Sequence, residues 1–432
     1  MILAGALAVA TLAGSSFAQD QPAVNQIIHA GRLLADPSTG RVLTEHSILV
    51  GADGRIVGVE SGYVTRAGAE VIDQRNRFVL PGLIDSHVHL RSVERTSNQF
   101  IDAVTLTAAD FALRAAQSAR ITLNAGFTTV ADLGAQNDTI FALRRAINEG
   151  RAVGPRILAS GQAISIDGGH ADANGWAPDV LNTLRSPNAC SGADACRRAT
   201  RRQIQAGADI IKVTATGGVL SNTATGVNQQ LSDDELAAIV DAAHAMGRRV
   251  TAHAHGVNGI NAALRAGVDS IEHGSYLDRE SVRLLRQGNR YLVPTLLAGF
   301  WSVHMAEQGG ILSPAQEAKA RQVGADMARM GRFARENNVR IAFGTDSGVS
   351  PHGMNAREFQ LLVEAGFSPL QTIQMATINA ADHLQLNGVA GRIAPGYSAD
   401  IIAVDGDPLA DVAVLENAMR FVMARGAVHR ND

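Results

Sequence analysis

Eight short apolar runs, each separated from the next by a helical stretch, occupy the middle of the chain and constrain its fold more than any other feature. They are "FVLPGLIDSHVHL" from Phe78, "FTTVADLG" from Phe127, "RILASGQ" from Arg156, "DIIKVTATGG" from Asp209, "RVTAHAHG" from Arg249, "SIEHGS" from Ser270, "YLVPTLL" from Tyr291 and "RIAFGTDSG" from Arg340. Runs of this kind read as buried strands. Between them lie helical patterns such as "SDDELAAIVDAAHAMG", where Ser232 precedes Glu235 by three residues as in a capping box. Eight β/α alternations predict a parallel sheet closed into a barrel rather than an open sheet. Gly256, Gly274 and Gly348 follow strand ends, where a barrel mouth needs tight turns.

At 432 residues the chain exceeds the roughly 250 of a single barrel. The surplus is at the two ends, and both ends are β-rich. "HSILVGADGRIVGVE" carries the hairpin signal Asp53-Gly54, and "GRIAPGYSADIIAVDGDPLADV" with "MRFVMARGAVHR" has the same character. The fold class expected is therefore α/β: a (β/α)8 TIM-like barrel over 80–385, with a small β-sandwich domain built from both chain ends, 19–79 and 386–432. A hydrophobic share of 46% supplies the large core this needs. The formal net charge of −3 gives no basic field, which argues against a nucleic-acid partner.

Residues 1–18, "MILAGALAVATLAGSSFA", read as a signal peptide, apolar and closed by small residues, and too short for a comfortable membrane span. No Lys or Arg precedes the run, so translation is expected to start upstream. Export, to a periplasm or the exterior, is the expectation, with no membrane partner. Cys190 and Cys196 are the two cysteines; in an exported chain they are expected to form a local disulfide without a catalytic role.

Polar residues on the eight runs are few, and they fall at the C-terminal ends. His87 and His89 end the first, Lys212 lies on the fourth, His253 on the fifth, His273 on the sixth and Asp346 on the eighth. Alternate residues of a strand share a face, so both imidazoles of "HVH" point the same way. Each residue has an ordinary reading alone: a satisfied core histidine, an amphipathic lysine, a helix N-cap. An unpaired ammonium inside "IIKVTA" would, however, be costly to bury. The C-terminal rim of a barrel carries its active site, so six such residues converge on one spot.

In order along the chain, "PGLIDSHVHL", "KVTATGG", "TAHAHG", "IEHGSYLD", "GTDSGVSPHGMN" and "GRIAPGYSADI" resemble the metal-dependent amidohydrolase superfamily, over nearly everything after the leader. The similarity points to the branch of Xaa-Pro dipeptidases, carboxypeptidases acting on Xaa-Arg or Xaa-Lys, and ochratoxin A amidohydrolases. The resemblance implies two divalent metal ions, Zn²⁺ first, with Mn²⁺ or Co²⁺ able to use the same nitrogen and oxygen donors. It implies that His87, His89 and Asp346 bind one ion, that His253 and His273 bind the other, and that a carboxylated Lys212 bridges them. Asp346 would also be the catalytic proton carrier, and His170 would polarise the scissile carbonyl or hold a substrate carboxylate. A homo-oligomer, with octamers among the relatives' assemblies, is a further implication.

Loops after the strands should select the substrate. Besides His170, the candidates are Ser92 and Arg91 after the first run, Gly217 and Gly218 with backbone amides for a carboxylate, Ser221, Val219 and Leu220 beside them, and His352 at the mouth. His255 is expected to support the ligand shell, and Leu296 and Leu297 to be pocket walls or packing. "LLAGFWSVHM", with Phe300 and Trp301, is an interface, a lid or a buried helix start. The expected substrate is a small dipeptide or N-acyl amino acid with a free carboxylate, ochratoxin A among the compounds that fit. Alternatives are a cyclic-amide hydrolase of the imidazolonepropionase type, a mononuclear deaminase, which needs no bridging lysine, and a non-catalytic interaction protein, which would have lost ligands.

Overall fold

A computed structural model of the chain describes residues 23–92, 99–221 and 226–432. The signal peptide expected at 1–18 lies outside the described residues. Strands β1 (Val24–Leu33), β2 (Leu43–Gly51), β3 (Ile56–Ser61) and β4 (Glu70–Pro81) come first. The central strands are β5 (Leu83–Val88), β6 (Phe127–Asp132), β7 (Arg156–Ala159), β8 (Ile210–Thr214), β9 (Arg249–Ala254), β10 (Ser270–His273) and β11 (Tyr291–Val293). Strands β12 (Ile401–Val404), β13 (Met419–Ala424) and β14 (Ala427–Asn431) end the chain.

Two parallel ladders, β5-β6-β7 and β8-β9-β10-β11, form the barrel wall. Backbone hydrogen bonds join them. Just beyond β7, the Ile164 N–H donates to the Lys212 carbonyl at 2.8 Å and the Ile164 carbonyl accepts from Thr214 at 3.0 Å. On the other side the segment 340–347 runs between β11 and β5: Ala342 donates to Leu292 at 3.0 Å, Ser86 to Phe343 at 2.8 Å and His89 to Ser347 at 2.8 Å. Eight segments therefore close the ring. The expected eighth strand is not a regular ladder, because it pairs only at Ile341 and Ser347. The cause is local: Asp346 has a φ of 58°, and its N–H and that of Thr345 both turn onto the His87 carbonyl.

Helices cover the outside through apolar faces. In helix Asp233–His244, Leu236, Ile239, Val240 and Ala243 are buried at helical spacing. Its start is fixed by the Ser232 N–H donating to Glu235 Oε2 at 2.9 Å, as the capping-box spacing predicts.

The chain ends form one seven-stranded sheet in the order β14-β13-β12-β4-β1-β2-β3. It curls back on itself: Ile56 donates to the Tyr397 carbonyl at 2.8 Å and Ala399 to Gly54 at 2.9 Å. Ile48 and Val50 of β2 and Phe421 and Met423 of β13 thus share one apolar core, so the sandwich is a single folded-over sheet. Gly54 makes the closure possible, with a φ of 72° and no room for a Cβ, which would lie 2.2 Å from the Arg425 carbonyl oxygen. Strand β4 enters this sheet and then leads, one residue later, into β5 of the barrel.

Cys190 and Cys196 form a disulfide, as expected. No helix among the described residues is long and apolar enough to cross a membrane.

Candidate metal centre and substrate cavity

Strand β5 delivers His87, and His89 follows at its end. The Nδ1 of His87 donates to Glu272 Oε2 at 2.7 Å, and Nδ1 of His89 to the Gly134 carbonyl at 3.0 Å. With Nδ1 engaged as donor, each ring presents the lone pair of Nε2 on its other side. Asp346 Oδ1 lies there, 3.1 Å from His89 Nε2 and 3.5 Å from His87 Nε2. It is buried. The ligand atoms of His87, His89 and Asp346 all lie within 4.8 Å of one another. His89 and Asp346 share a proton across this contact, which raises the imidazole despite its burial, and a divalent cation would take that proton's place among the three converging ligand atoms.

A second group stands on β9 and β10. His253, His255 and His273 also bring their ligand atoms within 4.8 Å. His273 Nδ1 pairs with Thr295 Oγ1 at 2.7 Å and His255 Nδ1 with Ser275 Oγ at 2.7 Å, whereas Nε2 of His253 lies 3.4 Å from the Gly217 carbonyl. Lys212 extends into the same space, with Nζ 3.2 Å from His87 Nε2. The backbone is strained at this rim: His273, Thr295 and Asp346 have φ values of 69°, 48° and 58°. Left-handed conformations at bulky residues cost free energy and persist where the surroundings impose them.

Burial sets the charge states. Desolvation, reinforced by nearby cationic groups, holds His87, His253 and His273 well below the usual imidazole range, so they are neutral donors. His255 is lowered to about 4 by the same burial. Burial also lowers the Lys212 ammonium, against the pull of Glu272 and Asp346. For Asp346 burial acts upward, but His87, His89 and Lys212 outweigh it and bring the carboxyl down to about 2.

These groups lie at the floor of a cavity of about 610 Å³. Ser92, His170 and Val219 line it, as do Arg91 and Leu220. The His170 ring lies 4.2 Å from that of His253 and its Nδ1 is 2.6 Å from Ser221 Oγ. Three expected substrate contacts are not available. The Gly217 N–H is spent on the Asn228 carbonyl at 3.0 Å and the Gly218 N–H on Ser221 Oγ at 3.2 Å, so neither amide is open to a carboxylate. His352 is outside the cavity lining; its Nε2 holds the backbone after β5 through the His89 and Ser92 carbonyls at 3.3 and 3.0 Å. Leu296 and Leu297 are packed in the interior rather than on the cavity wall.

Several supporting residues escaped the sequence reading. Glu272, fully buried, fixes His87 and accepts hydrogen bonds from the Thr251 and Ser270 hydroxyls. Asp132 holds the Gly134 turn behind His89, receiving the N–H groups of Leu90 at 2.7 Å and Gly134 at 3.2 Å. Glu358 accepts the N–H groups of Leu296 and Leu297 at 3.0 and 2.7 Å, just after Thr295. A charged residue inside a short apolar strand, as in "SIEHGS", is the signal that was open to notice.

The model of the Amidohydrolase family matches residues 78–428. Ochratoxinase of Aspergillus niger is 31% identical over 408 residues, which is 90% of this chain and 83% of that protein. A crystal structure of a Xaa-Pro dipeptidase with methionine bound in its active site superposes with a TM-score of 0.89 at 37% identity, over 94% of this chain and 100% of that one. A prolidase complexed with N-methylphosphonate-L-proline gives a TM-score of 0.85 at 31% identity, again over 94% and 100%.

Proposed function

From the premise that this chain belongs to the amidohydrolase family, and is a hydrolase of amide bonds, we propose that it cleaves dipeptides or N-acyl amino acids carrying a free carboxylate. Ochratoxin A, an N-acyl phenylalanine, is within that class. The observation that carries the reading is the buried convergence of the His87, His89 and Asp346 ligand atoms, with a second imidazole group, His253, His255 and His273, in the same cavity. Support for the substrate class comes from the relatives: one holds a free amino acid in its active site, another an analogue of an acyl-proline, and a third is named for ochratoxin.

In this reading His87, His89 and Asp346 hold one divalent ion and His253 and His273 the other, with zinc the ion that these donors suit first. Bound ions supply Lewis-acid chemistry, acidifying water and polarising a carbonyl. Lys212 would carry the bridging ligand as a carbamate, its neutral amine nitrogen bonding carbon dioxide and releasing a proton to water, and so would supply an anion to the centre. The remaining work falls to side chains. Asp346 takes a proton from the attacking water and returns it to the departing amine nitrogen, so that water is added across the C–N bond. His170, over His253 at the cavity wall, donates toward the scissile carbonyl oxygen.

Elemental analysis of the purified protein, run beside a panel of dipeptides, N-acyl amino acids and ochratoxin A, tests this. About two metals per chain with amide cleavage is the expected result. Turnover of cyclic ureides alone would replace the proposal with the imidazolonepropionase-type reading, and one metal with no amide cleavage would replace it with a deaminase. Export is part of the same proposal, and the Cys190–Cys196 disulfide fits an oxidising compartment.

A further inference from the structure

Among the described residues the charged side chains lining the cavity can be accounted for one by one, and a single cation is left over. Lys212 and Asp346 belong to the metal centre. Arg114 is paired with Asp102 at 2.7 Å. Asp172 is saturated by the backbone N–H groups of Gly168, Ser186 and Ala173 at 2.8 to 2.9 Å. Arg91 has no ion pair among the described residues. Its guanidinium lies over the Phe111 ring, 4.9 Å from the centroid. The acid that influences it, Asp132, has its two oxygens committed to Leu90 and Gly134.

We infer that Arg91 is the receptor for the substrate's free carboxylate and hence the residue that selects amino-acid amides with an open C-terminus. The inference rests on the amide-hydrolase reading above. A guanidinium held over an aromatic ring is steadied by that contact without spending its N–H groups, which can meet a carboxylate through two hydrogen bonds. Partly shielded from water at the cavity wall, the cation gains more from an anion than from a neutral analogue, which is how a site rewards one ligand over another. Position agrees with the role. Arg91 stands two residues beyond His89, with Leu90 between them turned into the core, so metal ligand and cation leave the same short segment toward one cavity. Because His170 lies on the far loop beside His253, the two candidates for carboxylate recognition can be separated by substitution.

The test compares metal-loaded wild type with Arg91→Met and Arg91→Lys on the best N-acyl amino acid of the panel and on its C-terminal carboxamide. Wild type should prefer the acid. Arg91→Met should lose on the order of 10–100-fold in kcat/KM on the acid, chiefly through KM, and change little on the carboxamide; Arg91→Lys should recover part of the loss. Equal losses on both substrates, or a wild type indifferent to the carboxylate, would overturn the assignment. Calorimetric binding of the free product amino acid to wild type and Arg91→Met gives a second readout that needs no turnover. Weaker binding in the variant supports the receptor; unchanged binding refutes it. If wild type cleaves neither substrate, the amide-hydrolase reading itself fails, and the binding result still decides the role of Arg91.

Discussion

The residues that face the cavity are only as good as the atoms that aim them. Glu272 shows this most directly, since it sits fully buried with its carboxyl oxygen against His87 Nδ1. Its carboxylate dictates which nitrogen of His87 carries the proton, and so which presents a lone pair to the cavity. Replacing Glu272 by Gln keeps the shape, removes the charge and offers an N–H where an acceptor was. Affinity for the ion at His87, His89 and Asp346 should then fall by about 10–100-fold, with the fold unchanged by circular dichroism. Chelator competition measures it, and unaltered affinity would show that the tautomer is set elsewhere. The gathering of His87, His89, Lys212, His253, His273 and Asp346 is legible in the sequence, because strand alternation and motif order carry it. Glu272 leaves a trace as a charged residue inside a short apolar strand, but its role and those of Asp132 and Thr295 are not legible, because they come from contacts across strands that spacing along one strand does not encode.

At the scale of elements, the strained corner at Thr295 depends on a helix start held from outside. Glu358 accepts the first two N–H groups of helix Leu296–Gln308, and Thr295, immediately before it, holds His273. Burial raises the Glu358 carboxyl from 4.5 to about 8, the two backbone donors pulling the other way. A carboxyl whose folded pKa is raised binds its proton more tightly when folded. Its contribution to stability is therefore fully present below about 4.5 and is lost as the pH climbs through about 8. In Glu358→Gln that slope should vanish: the difference in unfolding free energy between wild type and variant should shift in the variant's favour from pH 5 to pH 9. Chemical denaturation at several pH values reads it, and a difference independent of pH would mean that the carboxyl titrates normally. The alternation of strand and helix was readable from periodicity alone, yet the eighth strand was not readable as a bent, sparsely paired segment. Positive φ at Asp346 is enforced by His87 and Thr345 contacts, and nothing in "GTDSG" reports a neighbour on another strand.

For the molecule as a whole, the closed barrel and the folded-over terminal sheet bury most large apolar side chains among the described residues, so the most exposed ones ask for a reason. Leu113 is 74% exposed, Ile101 58% and Val104 54%, and all three stand on helices Gln99–Thr105 and Ala108–Asn124, which also send Ala103 and Phe111 to the cavity wall. Scattered surface leucines are ordinary; with Ile121, four large apolar side chains stand exposed on these adjoining helices, the pattern a contact surface would show. If the homo-oligomer that the resemblance implies forms, a second copy of the chain is the occupant to test, since a self-complementary patch closes by symmetry without an outside partner. Light scattering after size exclusion should then report a multiple of the chain mass at micromolar concentration. Leu113→Glu combined with Val104→Glu should reduce it to a single chain by placing unpaired charge in the contact. A wild type that runs as a single chain, or a variant with unchanged mass, would sink the assignment. The cavity supplies the consequence: if the contact exists, the wall bearing Phe111 beneath Arg91 is braced by the neighbouring copy, and the dissociated variant should lose affinity for the carboxylate substrate while keeping its metal.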